Sequence, residues 1–334
     1  MMIRGTKIAF LAAIALTLYW LIASWGVRQG VSAWFAEQRR QGWQAEFANL
    51  ETTGFPLELR NRITAPVLAD PGTGTAWRAE WLELISPAIW PGDLTLAFPS
   101  TPQRVSYLDQ TVVLQAEALE ASLQLAPGLA LQLEHLGVSS AAWQLDLDKT
   151  PWLEGHALDL EMRQQGDPAS YAITAEASGV LPSAVLRQQL AAADGLPQRL
   201  DTVAVDMDVQ FDTAWDRKAL ELRRPQPRNI ALDLAEARWG PMRIKATGGL
   251  RIDETGIPEG DIALQIENWQ DILHMAEAAQ LLGPQTRAGV ERVLRVFAGL
   301  GGNHRDLDLP LTFKSGYVAL GPLPIGPAPR LVLR

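Results

Sequence analysis

Apolar residues in this chain follow two periods. From Ile8 to Trp25 they dominate a run of 18 residues without a charge (IAFLAAIALTLYWLIASW). That is about the minimum helix that crosses roughly 30 Å of hydrocarbon. Val27, Val31, Trp34 and Phe35 then recur at helical spacing, an amphipathic stem that lies on the membrane or caps the domain beyond it; Gly42 ends the pattern. After Gly42 the spacing changes to alternation. The first runs are Trp43, Ala45, Phe47; Phe55, Leu57, Leu59; Trp77, Ala79, Trp81; and Leu94, Leu96, Phe98. Leu119 to Leu125 lead through Pro127-Gly128 into Leu129, Leu131 and Leu133, which reads as a hairpin. Trp143 to Leu147, Leu158 to Met162, Tyr171 to Ala177, Val203 to Phe211, Ile230 to Leu234, Met242 to Ile252 and Ile262 to Ile266 continue the pattern, as do Leu309–Phe313 and Tyr317–Leu320. Period-two spacing puts the apolar side chains on one face of a sheet and the polar ones on the other.

Helices are expected over 183–193, with Ser183 as N-cap and Asp194-Gly195 as a stop, and over 270–282 and 286–298, parted by Gly283-Pro284. The expected organisation is therefore an anchor over 1–26, a stem over 27–41 and a β-rich domain over 42–334. If that domain divides, its halves meet near 183–200. The fold class is mainly β (α+β): one N-terminal transmembrane helix, then a long, curled antiparallel sheet or sandwich with a few packed helices.

The flanks of the apolar run address location. Arg4 and Lys7 precede it, Arg28 follows, and Tyr19, Trp20 and Trp25 sit toward its far end, where amphipathic rings favour the headgroup level. A cleaved signal peptide wants a shorter core and small residues at the cut; Ser24-Trp25-Gly26 is a poor site, so a retained signal anchor is expected. A short N-terminal tail seldom crosses first, which leaves the N-terminus cytoplasmic and the bulk outside, in the periplasm of a cell with two membranes. The inner membrane is then the first partner, with lipids and other envelope proteins as further candidates.

Composition removes several alternatives. A 47% hydrophobic and 20% charged chain of 334 residues has ample apolar surface to fold. A net charge of −9 without a basic stripe argues against nucleic acid. The chain has no cysteine, so disulfides, thiolate metal sites and cysteine nucleophiles are absent.

Candidate chemistry is thin. His135, His156, His274 and His304 are scattered, without helical metal-ligand spacing. Asp206, Asp208 and Asp212 alternate with apolar residues and read as the solvated side of a strand, lacking the glycine and terminal glutamate of a calcium loop. Gly299 to Asn303 follows a helix and lacks the Lys-Ser/Thr pair of a phosphate loop. No Gly-x-Ser-x-Gly elbow occurs. No catalytic residue, cofactor or metal site is expected, and the protein reads as a non-enzyme.

Twelve tryptophans against four tyrosines is the one unusual count. Large rings fill a sandwich core, or some line a groove for acyl chains. The candidate groove residues are Trp77, Trp81, Leu94, Leu96 and Phe98. A closed core instead points to a structural or scaffolding protein that binds another protein.

Several stretches resemble an uncharacterised bacterial group, domain-of-unknown-function family 2125. They are Thr53-Gly54-Phe55-Pro56-Leu57, the strand around Ala76–Leu84 with Trp90-Pro91, Gly248-Gly249-Leu250 to Gly260-Asp261 with Asn268-Trp269, and Gly316-Tyr317 through Leu320-Gly321-Pro322-Leu323-Pro324. That family is similar in layout to the AsmA-like envelope proteins, in which a signal anchor precedes a long, curled, apolar-lined sheet. Members of that wider group are implicated in lipid homeostasis and transport between membranes; what the resemblance implies here is a location and an architecture. It supplies no catalytic residues.

Overall fold

The computed structural model describes residues 2–90, 92–184, 187, 197–221, 223–278, 283–300, 305–321 and 323–333. The chain begins with one continuous helix, α1 (Met2–Arg40), so anchor and stem are a single rod. Its segment from Phe10 is apolar enough to cross a membrane by length and composition. Gly42, at φ 92°, closes it: the Trp43 N–H donates to the Gln38 carbonyl at 3.0 Å and the Gly42 N–H to that of Arg39 at 3.1 Å. This is the pairing that satisfies the orphan carbonyls of a helix C-terminus, and it needs the left-handed conformation that glycine adopts freely.

The chain then forms two compact units, residues 1–125 with 138–150, and residues 126–137 with 151–334. The expected seam at 183–200 falls inside the second unit, because the strands on either side of it are neighbours in one sheet.

In the first unit, hairpins are dealt alternately to two antiparallel sheets. The first sheet pairs β1 (Gln44–Glu46), β4 (Val67–Asp70), β5 (Thr75–Arg78), β8 (Gln103–Tyr107), β9 (Gln110–Ala116) and β12 (Trp143–Leu147) in that order. The second pairs β2 (Asn49–Thr53), β3 (Glu58–Thr64), β6 (Trp81–Pro87), β7 (Asp93–Ala97) and β10 (Glu120–Leu125). Their apolar faces are turned toward each other. Phe35 of α1, Ala45 of β1, Leu50 of β2 and Ile63 of β3 form one buried cluster, with Val31, Leu68, Leu82 and Leu84 packed against it. The stem's apolar stripe therefore caps the domain.

Three expectations fail here for local reasons. The run Trp77, Ala79, Trp81 is broken at Ala79-Glu80, so Trp77 belongs to β5 and Trp81 opens β6 of the other sheet. Phe55 and Leu57 alternate with Leu59 but lie in a turn, since Gly54 at φ 98° brings its carbonyl to the Glu58 N–H at 3.0 Å and the strand starts only at Glu58. Leu129 and Leu131 lie outside any strand: Leu129 is exposed, Leu131 has a positive φ, and β11 (Leu133–Ser140) begins after them. Alternation records side-chain polarity and is blind to a backbone that turns.

In the second unit, after β13 (Thr150–Gly155), a meander runs from β14 (Ala157–Gln165) through β15 (Asp167–Pro182), β16 (Leu200–Phe211), β17 (Pro227–Trp239), β18 (Met242–Ile252), β19 (Pro258–Glu267), β20 (Asp306–Lys314) and β21 (Tyr317–Leu320) to β22 (Leu323–Pro327). Each strand pairs antiparallel with the next, and the sheet stays open. A short helix, α2 (Arg217–Glu221), lies between β16 and β17. Two longer ones, α3 (Trp269–Ala278) and α4 (Pro284–Leu300), cover one end of the sheet through Trp269, Leu273, Leu294 and Ala298 on Leu307 and Leu309. The helix α4 continues through Gly299 and Leu300, where a loop was expected. Most of the helix expected over 183–193 lies outside the described residues.

Candidate functional site

Register decides which side chains face the space between the two sheets of the first unit. Directly paired residues share a face. In the second sheet, buried Ile63 pairs with Leu82, buried Asn61 with Leu84, Leu84 with Leu96, Leu96 with Ala121 and Leu94 with Leu123. In the first, buried Ala45 pairs with Leu68, Leu68 with Trp77, Trp77 with Val105, Val105 with Val112 and Val112 with Leu147. Trp77 and Phe98 bridge the two faces, rings edge to face at 6.5 Å. The Trp77 indole N–H also donates to Gln103 Oε1 at 3.4 Å.

Four of the five candidate groove residues, Trp77, Leu94, Leu96 and Phe98, thus lie on the facing surfaces. Trp81 does not. It pairs with exposed Thr64, one step out of phase with Leu82, and the Arg62 guanidinium lies 4.2 Å from its ring centroid. The same register adds Leu82, Leu84, Leu114 and Trp143, which alternation alone did not assign to the groove. Glu83, in phase with Trp81, was the available signal: a carboxylate on that phase marks the watered side of β6.

Burial along the strip is the informative quantity. Near α1 the inward side chains are fully buried: Ala45, Leu59 and Ile63 are at most 2% exposed. Farther along, Trp77, Leu82, Leu84, Leu94, Leu96, Phe98, Val112, Leu114, Trp143 and Leu145 are all only half-buried. A closed sandwich buries its inward positions and exposes its outward ones. Here one end is closed; beyond it Gln103, Ala116 and Ala121 are buried, while the larger inward side chains around them stay partly exposed. Two recesses occur in this unit: one of about 560 Å³ between α1 and β1–β2, beside Trp25, Arg28 and Phe47, and one of about 450 Å³ at the β6–β7–β10 part of the second sheet, lined by Leu94 and Leu123 as well as by Ile85, Thr95 and Ser122.

The polar groups form structural pairs. Glu236 of β17 takes a hydrogen bond from Arg238 and two, at 2.9 Å each, from Arg243; these guanidinium groups hold its carboxyl down at about 2. Asp253 is held below the usual carboxylate range by the Ile257 N–H and the Thr255 hydroxyl in a tight turn. Burial pushes the Tyr171 phenol up; its hydroxyl donates to the Leu133 carbonyl at 3.0 Å and accepts from the Trp215 N–H at 3.3 Å. Asp212 is engaged by Arg223 and Arg228, while Asp206 and Asp208 lie on β16 with their carboxylates on the side away from its buried residues. His135 lies 3.8 Å from Glu161, His274 3.3 Å from Arg287, and His304 is outside the described residues. Among the described residues no three His, Asp or Glu gather as a metal site.

A model of the family described as an uncharacterized protein conserved in bacteria (DUF2125) matches residues 20–329. No curated protein matches the chain.

Proposed function

The chain belongs to this family of uncharacterized bacterial proteins, and from that premise we propose that it is a membrane-anchored, non-enzymatic protein that binds or conducts lipid-like apolar molecules. In this reading α1 is retained in the inner membrane, the N-terminus is cytoplasmic and both units are periplasmic. The observation that carries it is the half-burial of the inward strip from Trp77 through Leu96 to Trp143. These side chains are too apolar for an outer surface and too exposed for a core. Surfaces of that kind mark a ligand or partner. An acyl chain suits the strip because the paired inward residues carry no charge, and each methylene it shelters from water contributes about 0.8 kcal/mol.

The test places a benzophenone amino acid at Leu96 or Thr95 in the full-length chain and irradiates the cells. Leu96 faces the strip and Thr95 faces away. Cross-linked lipid at Leu96 and not at Thr95 is expected. Equal lipid at both, or none at Leu96, overturns the binding role, and a protein adduct at Leu96 favours a scaffold. A reporter fused after Arg334 should be active only in its exported-side form.

A further inference from the structure

Two apolar tips stand beside the apolar part of α1. The turn Phe55–Leu57 precedes β3, and Ala88–Trp90 follows β6. The Ala88 N–H donates to the Leu57 carbonyl at 2.8 Å, which ties the tips together. The Trp20 indole N–H donates to the Glu58 carbonyl at 2.7 Å, and the Tyr19 hydroxyl to the Ala88 carbonyl at 2.7 Å. The Trp20 and Phe55 rings meet edge to face at 5.5 Å. Both tips are therefore fixed to the helix at Tyr19 and Trp20, inside the uncharged run that ends at Trp25. Yet much of their apolar surface stays uncovered: Leu57 is 70% and Ile89 81% exposed, Phe55 53% beside Trp20, and Trp90 36%.

Depth follows from helix geometry. Arg28 is the first charge after the run, and Trp20 lies eight residues before it, about 12 Å back along the axis at 1.5 Å per residue. A helix whose apolar run fills the hydrocarbon thus carries these tips below the headgroup level. Amphipathic elements bury their apolar side about 5–10 Å into the boundary between headgroups and acyl chains. In water these four side chains would leave a part-exposed apolar cluster beside the apolar run of α1.

We propose that Phe55–Leu57 and Ala88–Trp90 form a wedge inserted in the outer leaflet beside the anchor, its occupant being the lipid surface itself. The inference rests on the reading of α1 as membrane-spanning. The wedge holds this end of β3, β6 and β7 against the bilayer, and β7 enters the inward strip at Leu94.

The absence of cysteine makes the test direct. Single cysteines replace Phe10, Leu57, Ile89 or Asp109 in the full-length chain, each labelled with an environment-sensitive nitrobenzoxadiazole. The labelled chains are reconstituted in phosphatidylcholine–phosphatidylglycerol vesicles containing lipids spin-labelled near the headgroup. Asp109 lies on the exposed turn between β8 and β9. Blue-shifted emission, quenched about twofold or more, is expected at Leu57 and Ile89 and not at Asp109. Quenching at Phe10 with none at Leu57 and Ile89 overturns the wedge and leaves the anchor standing. No quenching at Phe10 removes the anchor, and the wedge with it.

Discussion

The rings of Trp77 and Phe98 meet edge to face with 84° between their planes, although Trp77 belongs to the first sheet of its unit and Phe98 directly follows β7 of the second. The contact shows that the half-buried residues around it face a shared space. Such a contact is worth about 0.5–1.5 kcal/mol beyond burial, enough to hold two faces in register without closing them.

The two ends of the strip should therefore answer differently to the same charge. Ile63→Asp places a carboxylate in the sealed end, where desolvation costs several kcal/mol against a typical stability of about 5–15 kcal/mol; the detergent-solubilised chain should lose its cooperative melt. Leu96→Asp places it on a wall that water reaches, at an expected cost of about 1–2 kcal/mol. The folded Leu96→Asp protein should lose the lipid adduct formed by a benzophenone at Leu94. Collapse of Leu96→Asp would show the strip to be a closed core.

Trp81→Ala is the matching negative. The ring stacks on Arg62 outside the strip, so its loss should cost about 0.5–1 kcal/mol of cation–π attraction and some packing. Lipid adducts at Leu96 should be unchanged. A several-fold fall in adduct would return Trp81 to the strip.

Trp81 also marks where sequence reasoning stops. Elements driven by a strong single period were legible: the apolar rod, its end at Gly42, and the strand Tyr317–Leu320, which the structure draws with the same bounds. In β6 both phases carry large apolar residues, Trp81 and Ile85 on one, Leu82 and Leu84 on the other, so polarity could not choose; pairing with Ile63 does. Phe55 and Leu57 failed for another reason. Their alternation is real, but the backbone turns at Gly54 and the strand starts only at Glu58, which polarity alone does not record. The alternate dealing of hairpins to two sheets is a property of pairing between distant strands, which local spacing does not encode.

Tyr171 anchors the second unit. Its ring stacks edge to face with Phe211 at 5.9 Å, and its hydroxyl bridges the Leu133 carbonyl and the Trp215 N–H. Tyr171→Phe keeps the ring and strands both backbone groups. A cost of about 1–3 kcal/mol is expected, read as a lower denaturant midpoint with an unchanged slope. No shift would mean that water replaces the hydroxyl.

Acid should weaken one ion cluster of the second unit. The Glu236 carboxylate is 9% exposed and lies between Arg238 and Arg243, whose side chains are 51% and 29% exposed. Its carboxyl titrates at about 2 in the folded chain, against an ordinary value of 4.5. A group depressed on folding contributes stability that is fully present above its unfolded value and is lost as pH falls through the folded one. The contribution should therefore hold at pH 7, begin to fade near 4.5 and be gone near 2. Water reaches both guanidinium groups and screens the pair, so about 1–2 kcal/mol is expected at neutral pH. Glu236→Gln removes the charge while keeping the shape. Other carboxylates titrate over the same range, so the quantity to follow is the difference in urea midpoint between wild type and Glu236→Gln. It should be largest at pH 7 and shrink steadily below 4.5. A difference that stays constant down to pH 2.5 would assign the effect to packing, with the charge of Glu236 contributing nothing.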